Sequence, residues 1–168
     1  MQIEKIARTS YYDEIILREK DLSDHEYQSL AKEVIAICEA HDKPLLLHNY
    51  KDVAIALSYR KIHVPLPVLA AMTKAEKSAF EKIGTSIHSL EQLYEAERFG
   101  ADYVTASHIF STDCKKNIPP KGIDFLREIC DQSTLPVYAL GGIDPAKESY
   151  LIGTGCAGCC HMSYSMQF

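Results

Sequence analysis

Seven short runs of β type recur along the chain, and a helical pattern separates each from the next. The runs are EIIL (14–17), PLLLH (44–48), KIHV (61–64), KIGTS (82–86), DYVTAS (102–107), PVYAL (136–140) and AGCCHM (157–162). Nearly continuous apolar strands that alternate with helices specify a parallel sheet covered by those helices. An eight-fold β/α barrel and an open doubly wound sheet both satisfy the pattern. No G-x-G-x-x-G follows the first strand, which counts against the dinucleotide-binding version.

The helices carry their own punctuation. Ser23 with Glu26 and Thr73 with Glu76 are capping boxes, and Ser89 stands three residues before Gln92. Tyr27, Leu30, Ala31, Val34, Ile35 and Cys38 recur at helical spacing. A further helical pattern runs from the KIHV strand to about Phe80, and GIDFLREIC (122–130) is another. Gly100 ends one helix, while Asp144 and Pro145 open the last, which runs to near Gly153.

The length of 168 residues fits a single domain, 1–168. A formal charge of -5 opposes a nucleic-acid binder that depends on a basic face. No window reaches the apolar length of a membrane span, and MQIEKIARTS is no signal peptide. The six cysteines therefore read as reduced thiols of a cytoplasmic protein. Three of them fall in CAGCCH (156–161), which lacks the histidine spacing of a c-type haem site. On a strand, Cys159 and His161 share one face and Cys160 takes the other, so one metal would not gather all three. No metal and no cofactor is expected.

In parallel β/α folds, ligands sit at the C-terminal ends of strands. Those ends are polar here: Arg18 and Lys20; His48 and Asn49; His63; Ser86 and His88; Ser107 and His108; Gly141 and Gly142; His161 and Ser163. Any one of these histidines reads equally as a hydrogen-bonded packing residue. Five of the seven histidines in or beside strand ends make a stronger signal. The loop SHIFSTDCKKN (107–117) adds hydroxyls, a carboxylate, a thiol and two lysines. LGGID (140–144), before a helix, places glycines where a phosphate meets a helix N-terminus.

The run GADYVTASHIFSTDCKK, with GTSIHS before it, LGGI after it and REK at 18–20, resembles the thiamine phosphate synthase and thiazole tautomerase superfamily. It looks closer to the TenI-type tautomerase branch. The resemblance implies a TIM-type (β/α) barrel with its site at the strand C-terminal ends. It also implies a small phosphorylated thiazole as substrate. His108 matches the tautomerase histidine, which would move a proton between two carbons of a thiazole carboxylate phosphate. Arg18, Lys20, Asn49, Ser86, Thr112, Lys115, Gly141, Gly142 and Ser163 are the matching substrate- and phosphate-binding positions.

Two departures from that family stand out. The synthase branch binds magnesium through aspartates after the third and fourth strands, where this chain reads HNYKD (48–52) and HVPLP (63–67). Magnesium is expected only if synthase activity is retained. The alternatives to a tautomerase are thus a synthase joining thiazole phosphate to pyrimidine pyrophosphate, or a non-catalytic phosphate-binding homologue. Secondly, the chain opens on QIEKIA (2–7), with Ile3, Ile6 and Ala7 at helical spacing, where the family has a strand. The expectation is an N-terminally truncated barrel of about seven parallel strands, lacking the first strand and last helix. Exposed strand edges at 14–17 and 157–162 would then favour a homo-oligomer.

Overall fold

The computed structural model describes residues 2–112 and 118–167. The chain divides within its fourth strand into two compact units, one up to Ile83 and one spanning Gly84–Gln167. Every strand pairing described in either unit is parallel.

The N-terminal unit opens with helix α1 (Gln2–Arg8), followed by β1 (Ile15–Leu17), α2 (Asp24–Ala40) and β2 (Leu45–His48). Next come α3 (Lys51–Ala56), β3 (Lys61–Pro65), α4 (Leu66–Ala71), α5 (Lys74–Ser78) and the start of β4 (Lys82–Ile87). Strand order is β1-β2-β3, with Ile15 opposite Leu45 and Leu47 opposite Ile62. Helix α2 begins where its capping box says it should: the Ser23 amide donates to Glu26 Oε2 at 2.8 Å, and Ser23 Oγ accepts the Glu26 amide. Its buried stripe is Tyr27, Ala31, Val34 and Cys38, against a sheet whose Leu45, Leu46 and Leu47 are at most 1% exposed. The helical run up to Phe80 is two helices. Met72 is extended at the end of α4, and Thr73 starts α5 with a complete capping box of its own. A strong N-cap thus outweighs continuous helical propensity.

The C-terminal unit holds the rest of β4, α6 (Leu90–Phe99), β5 (Tyr103–Ser107), α7 (Gly122–Gln132) and β6 (Val137–Leu140). Helix α8 (Pro145–Glu148) is short and passes into a 3-10 turn, Ser149–Leu151, before β7 (Gly158–Cys160). Strand order is β4-β5-β6-β7. Two glycines lie in register opposite two tyrosines, Gly84 with Tyr103 and Gly158 with Tyr138. A Cβ at Gly84 would overlap the Tyr103 ring, and one at Gly158 would lie 3.3 Å from that of Tyr138. The two tyrosine rings meet edge to face at 5.6 Å. The core of this unit is Ile87, Leu93, Ala96, Val104, Ala106, Ile109, Leu126, Ile129 and Ala139, all fully buried. Among the described residues no helix is long and apolar enough to cross a membrane.

Candidate functional site

In the C-terminal unit β5 delivers Ser107 and His108 to its C-terminal end, 5% and 3% exposed. The chain then continues alongside β6: the Ile109 amide donates to the Leu140 carbonyl and the Phe110 amide to the Gly141 carbonyl, each at 3.0 Å. The start of α7 docks on the same segment through Lys121 N–H to the His108 carbonyl at 2.9 Å. His108 Nε2 lies 3.2 Å from the Ile118 carbonyl. A carbonyl only accepts, so that nitrogen carries the proton and Nδ1 of the neutral ring carries the lone pair. The ring is thereby fixed in one tautomer.

Gly141 (φ +105°) and Gly142 (φ +65°) pack directly on this segment. A Cβ on Gly141 would overlap His108 Cβ, and one on Gly142 would overlap the Ser111 carbonyl oxygen. The lack of a side chain at either position lets β6 close on the His108 loop. Lys147 finishes the turn, donating to the Gly142 carbonyl at 2.9 Å and pairing with Asp144 at 2.6 Å. That ammonium holds the Asp144 carboxyl below its usual range.

On the other side of β5, Ser86 Oγ lies 2.8 Å from Thr105 Oγ1. His88 Nδ1 lies 2.9 Å from the Ser107 carbonyl and 3.1 Å from Ser107 Oγ. Thr112 is half-buried and Ser163 exposed; Lys115 lies outside the described residues. The C-terminal unit thus brings His108, Gly141 and Gly142 into one packed group and sets Ser86 on Thr105. His88 belongs with them. Its place beside a strand end was visible in the sequence, but its partner Ser107 was not.

The N-terminal unit carries its own polar strand ends. Arg18 and Lys20 are exposed beyond β1, and Asn49 is exposed after β2 with φ +69°. Asn49 donates its amide to the His63 carbonyl at 2.9 Å. The rings of His48 and His63 stack at 5.7 Å, tilted by 14°. Burial, with the positive charge of Arg18 and Lys20, brings the His48 imidazole down to about 4. Burial, then His48, brings His63 to about 3. Both rings are neutral at physiological pH. The Tyr27 phenol, from α2, accepts the His48 amide at 2.9 Å and donates to the Leu17 carbonyl at 2.8 Å, joining the ends of β1 and β2.

The positions where magnesium carboxylates would stand do not suit that ion. Tyr50, after Asn49, stacks on Tyr27 at 3.9 Å and donates its hydroxyl to the Leu22 carbonyl at 2.6 Å. It is a packing residue with no carboxylate to offer. Beyond His63 come Val64, Pro65 and Leu66, with no oxygen donor on a side chain. Asp52 lies in the first turn of α3 and pairs with Lys51 at 2.8 Å. Magnesium prefers carboxylate and phosphate oxygens in octahedral array, and these side chains do not supply it.

The family profile described as thiamine monophosphate synthase, TMP-TENI, matches residues 1–164. Thiamine-phosphate synthase 2 of Streptococcus pneumoniae serotype 4 is 36% identical over 84% of this chain and 68% of its own length. Thiamine-phosphate synthase of Syntrophomonas wolfei is 33% identical over 89% of this chain and 73% of its own. The solved thiamine phosphate pyrophosphorylase of Pyrococcus furiosus superposes with a TM-score of 0.81 at 27% identity, covering 96% of this chain and 77% of that one. The seven parallel strands are those of a TIM-type β/α fold.

Proposed function

The chain belongs to the thiamine monophosphate synthase family of thiamine biosynthesis, and on that premise we propose that it is a thiazole tautomerase with His108 as its acid and base. The observation that carries this reading is the His108 ring itself. It is buried at a strand end and protonated on Nε2 by its contact with Ile118, which leaves Nδ1 as a lone-pair base. Nδ1 takes a proton from one carbon of a thiazole carboxylate phosphate. The bonding pair shifts through the conjugated ring, and the imidazolium returns the proton to a second carbon. One C–H bond breaks and one forms, with no net oxidation. An imidazole that accepts a proton as base can return it as acid, so one side chain serves both steps.

Ser86, Thr112, Lys115, Gly141, Gly142 and Ser163 are the substrate-contacting positions of this reading. Arg18, Lys20 and Asn49 offer charge and hydrogen bonds to a phosphate group at the strand ends of the N-terminal unit. No metal is needed, in keeping with the side chains that replace the magnesium aspartates. β7 stands at one end of the strand order with β6 as its neighbour, which favours a homo-oligomer paired along that edge.

The names of the relatives favour a second reading, condensation to thiamine phosphate with release of pyrophosphate. The two are separated by supplying the purified protein with thiazole carboxylate phosphate alone, then with thiazole phosphate, pyrimidine pyrophosphate and magnesium. Isomerisation in the first assay, lowered about 10²–10⁴-fold in His108→Asn, supports the proposal. Thiamine phosphate in the second without isomerisation in the first replaces it with the synthase. Binding without turnover in either makes the chain a phosphate-binding homologue.

A further inference from the structure

One cluster lies outside everything assigned so far. Cys159 and His161 are two residues apart at the end of β7 and share a face, as strand alternation requires. The short helix α8 ends at Glu148, and this brings its carboxylate onto the same face. His161 Nε2 is 3.2 Å from Glu148 Oε1 and 3.9 Å from Cys159 Sγ. All three donor atoms lie within 4.8 Å of one another.

We propose that Glu148, Cys159 and His161 form a binding site for a zinc-class transition-metal ion. Zinc bonds of about 2.3 Å to sulfur and about 2.0–2.2 Å to nitrogen or oxygen give tetrahedral edges of about 3.4–3.6 Å. The two separations above straddle that value, so small side-chain adjustments seat the ion. The donor set is thiolate, imidazole and carboxylate, which suits zinc and its neighbours and disfavours magnesium or calcium. The His161 side chain is 3% exposed and that of Glu148 39%, so the site is walled on one side and reachable from the other. Three protein ligands leave one tetrahedral position for water or an exchangeable anion. Cys160, the next residue, takes the opposite face and is excluded from the set. The bland alternative is a histidine–carboxylate ion pair beside an inert thiol. The proposal rests on the geometry of α8 and β7 and is independent of any role for His108.

Cobalt titration of the chelator-stripped full chain decides between them, because a thiolate ligand gives cobalt(II) an intense near-ultraviolet charge-transfer band. The expected result is one equivalent bound per chain with that band, displaced by zinc. Cys159→Ser abolishes the band, while Glu148→Gln and His161→Ala weaken cobalt binding at least tenfold. Cys160→Ser leaves the band intact. Thermal unfolding of each metal-free variant is compared with the parent, and zinc should raise Tm in the parent but not in Cys159→Ser. Absence of a thiolate band in the parent, or its persistence in Cys159→Ser, overturns the site.

Discussion

The His88 ring donates from Nδ1 to the Ser107 carbonyl at 2.9 Å, so a side chain that follows β4 fixes the peptide that carries His108. Ser107 and His108 are consecutive, and the orientation of the second depends on how the first is held. His88 touches none of the atoms proposed to react; it is a positioning residue.

His88→Ala is therefore expected to lower kcat for thiazole isomerisation by roughly ten- to a hundredfold, the scale of a small misplacement of a catalytic group. KM should change little. His88→Asn keeps a donor close to the Nδ1 position and should recover much of the rate. Equal losses in both variants, or a change confined to KM, would show that the ring does not act through Ser107.

The stacked pair His48 and His63 makes a prediction about pH. Their folded values, about 4 and about 3, lie below the ordinary 6.5. Between those values the unfolded chain binds protons that the folded chain excludes. The stabilising effect is complete above about 6.5 and is lost as pH falls toward 4 and then 3. Each ring contributes a slope of at most about 1.4 kcal/mol per pH unit over its window. Urea unfolding of the parent and of His48→Gln/His63→Gln at a series of pH values should give a shallower acid decline in the double variant. Parallel curves would mean the rings are not buried neutral.

Tyr27→Phe keeps the packing stripe of α2 and removes one oxygen that serves two backbone groups, the His48 amide and the Leu17 carbonyl. The expected cost is about 1–3 kcal/mol from unsatisfied buried groups, read as a lowered urea midpoint at unchanged slope. A difference below about 0.5 kcal/mol would mean that water replaces the phenol.

Gly142→Ala places a methyl against the Ser111 carbonyl, at a φ of +65° that side chains rarely adopt. Backbone cannot yield as a side chain would, so the His108 loop must move. We expect about 1–3 kcal/mol of lost stability, together with loss of isomerisation. Gly100→Ala, at a φ of +82° with open space around it, is the control: it carries backbone strain alone and should spare activity.

Local signals in this sequence were legible because they are short-range. Both capping boxes, the Ser89 cap, the left-handed Gly100 and the Asp144–Pro145 helix start each depend on a few neighbouring residues. The break between α4 and α5 was legible in Thr73 yet masked by a continuous helical pattern. Gly141 and Gly142 show where reading residue types runs out. A glycine pair after a strand signals a close approach, but the neighbours approached here, His108 and Ser111, lie far off in the sequence. Glu148 carried no signal at all. Its meeting with His161 depends on how α8 lies beside the end of β7, which no local pattern encodes. Tyr27 reads in the sequence as one member of an apolar stripe, and its hydroxyl partners at two strand ends lie ten and twenty-one positions away.

The glycine–tyrosine registers of Gly84 with Tyr103 and Gly158 with Tyr138 couple the fates of paired positions during divergence. A Cβ at Gly84 requires the Tyr103 ring to move or shrink, whereas one at Gly158 asks the Tyr138 ring to give by only a few tenths of an ångström. Substitution at Gly84 is therefore tied to change at Tyr103, while Gly158 and Tyr138 are more loosely coupled.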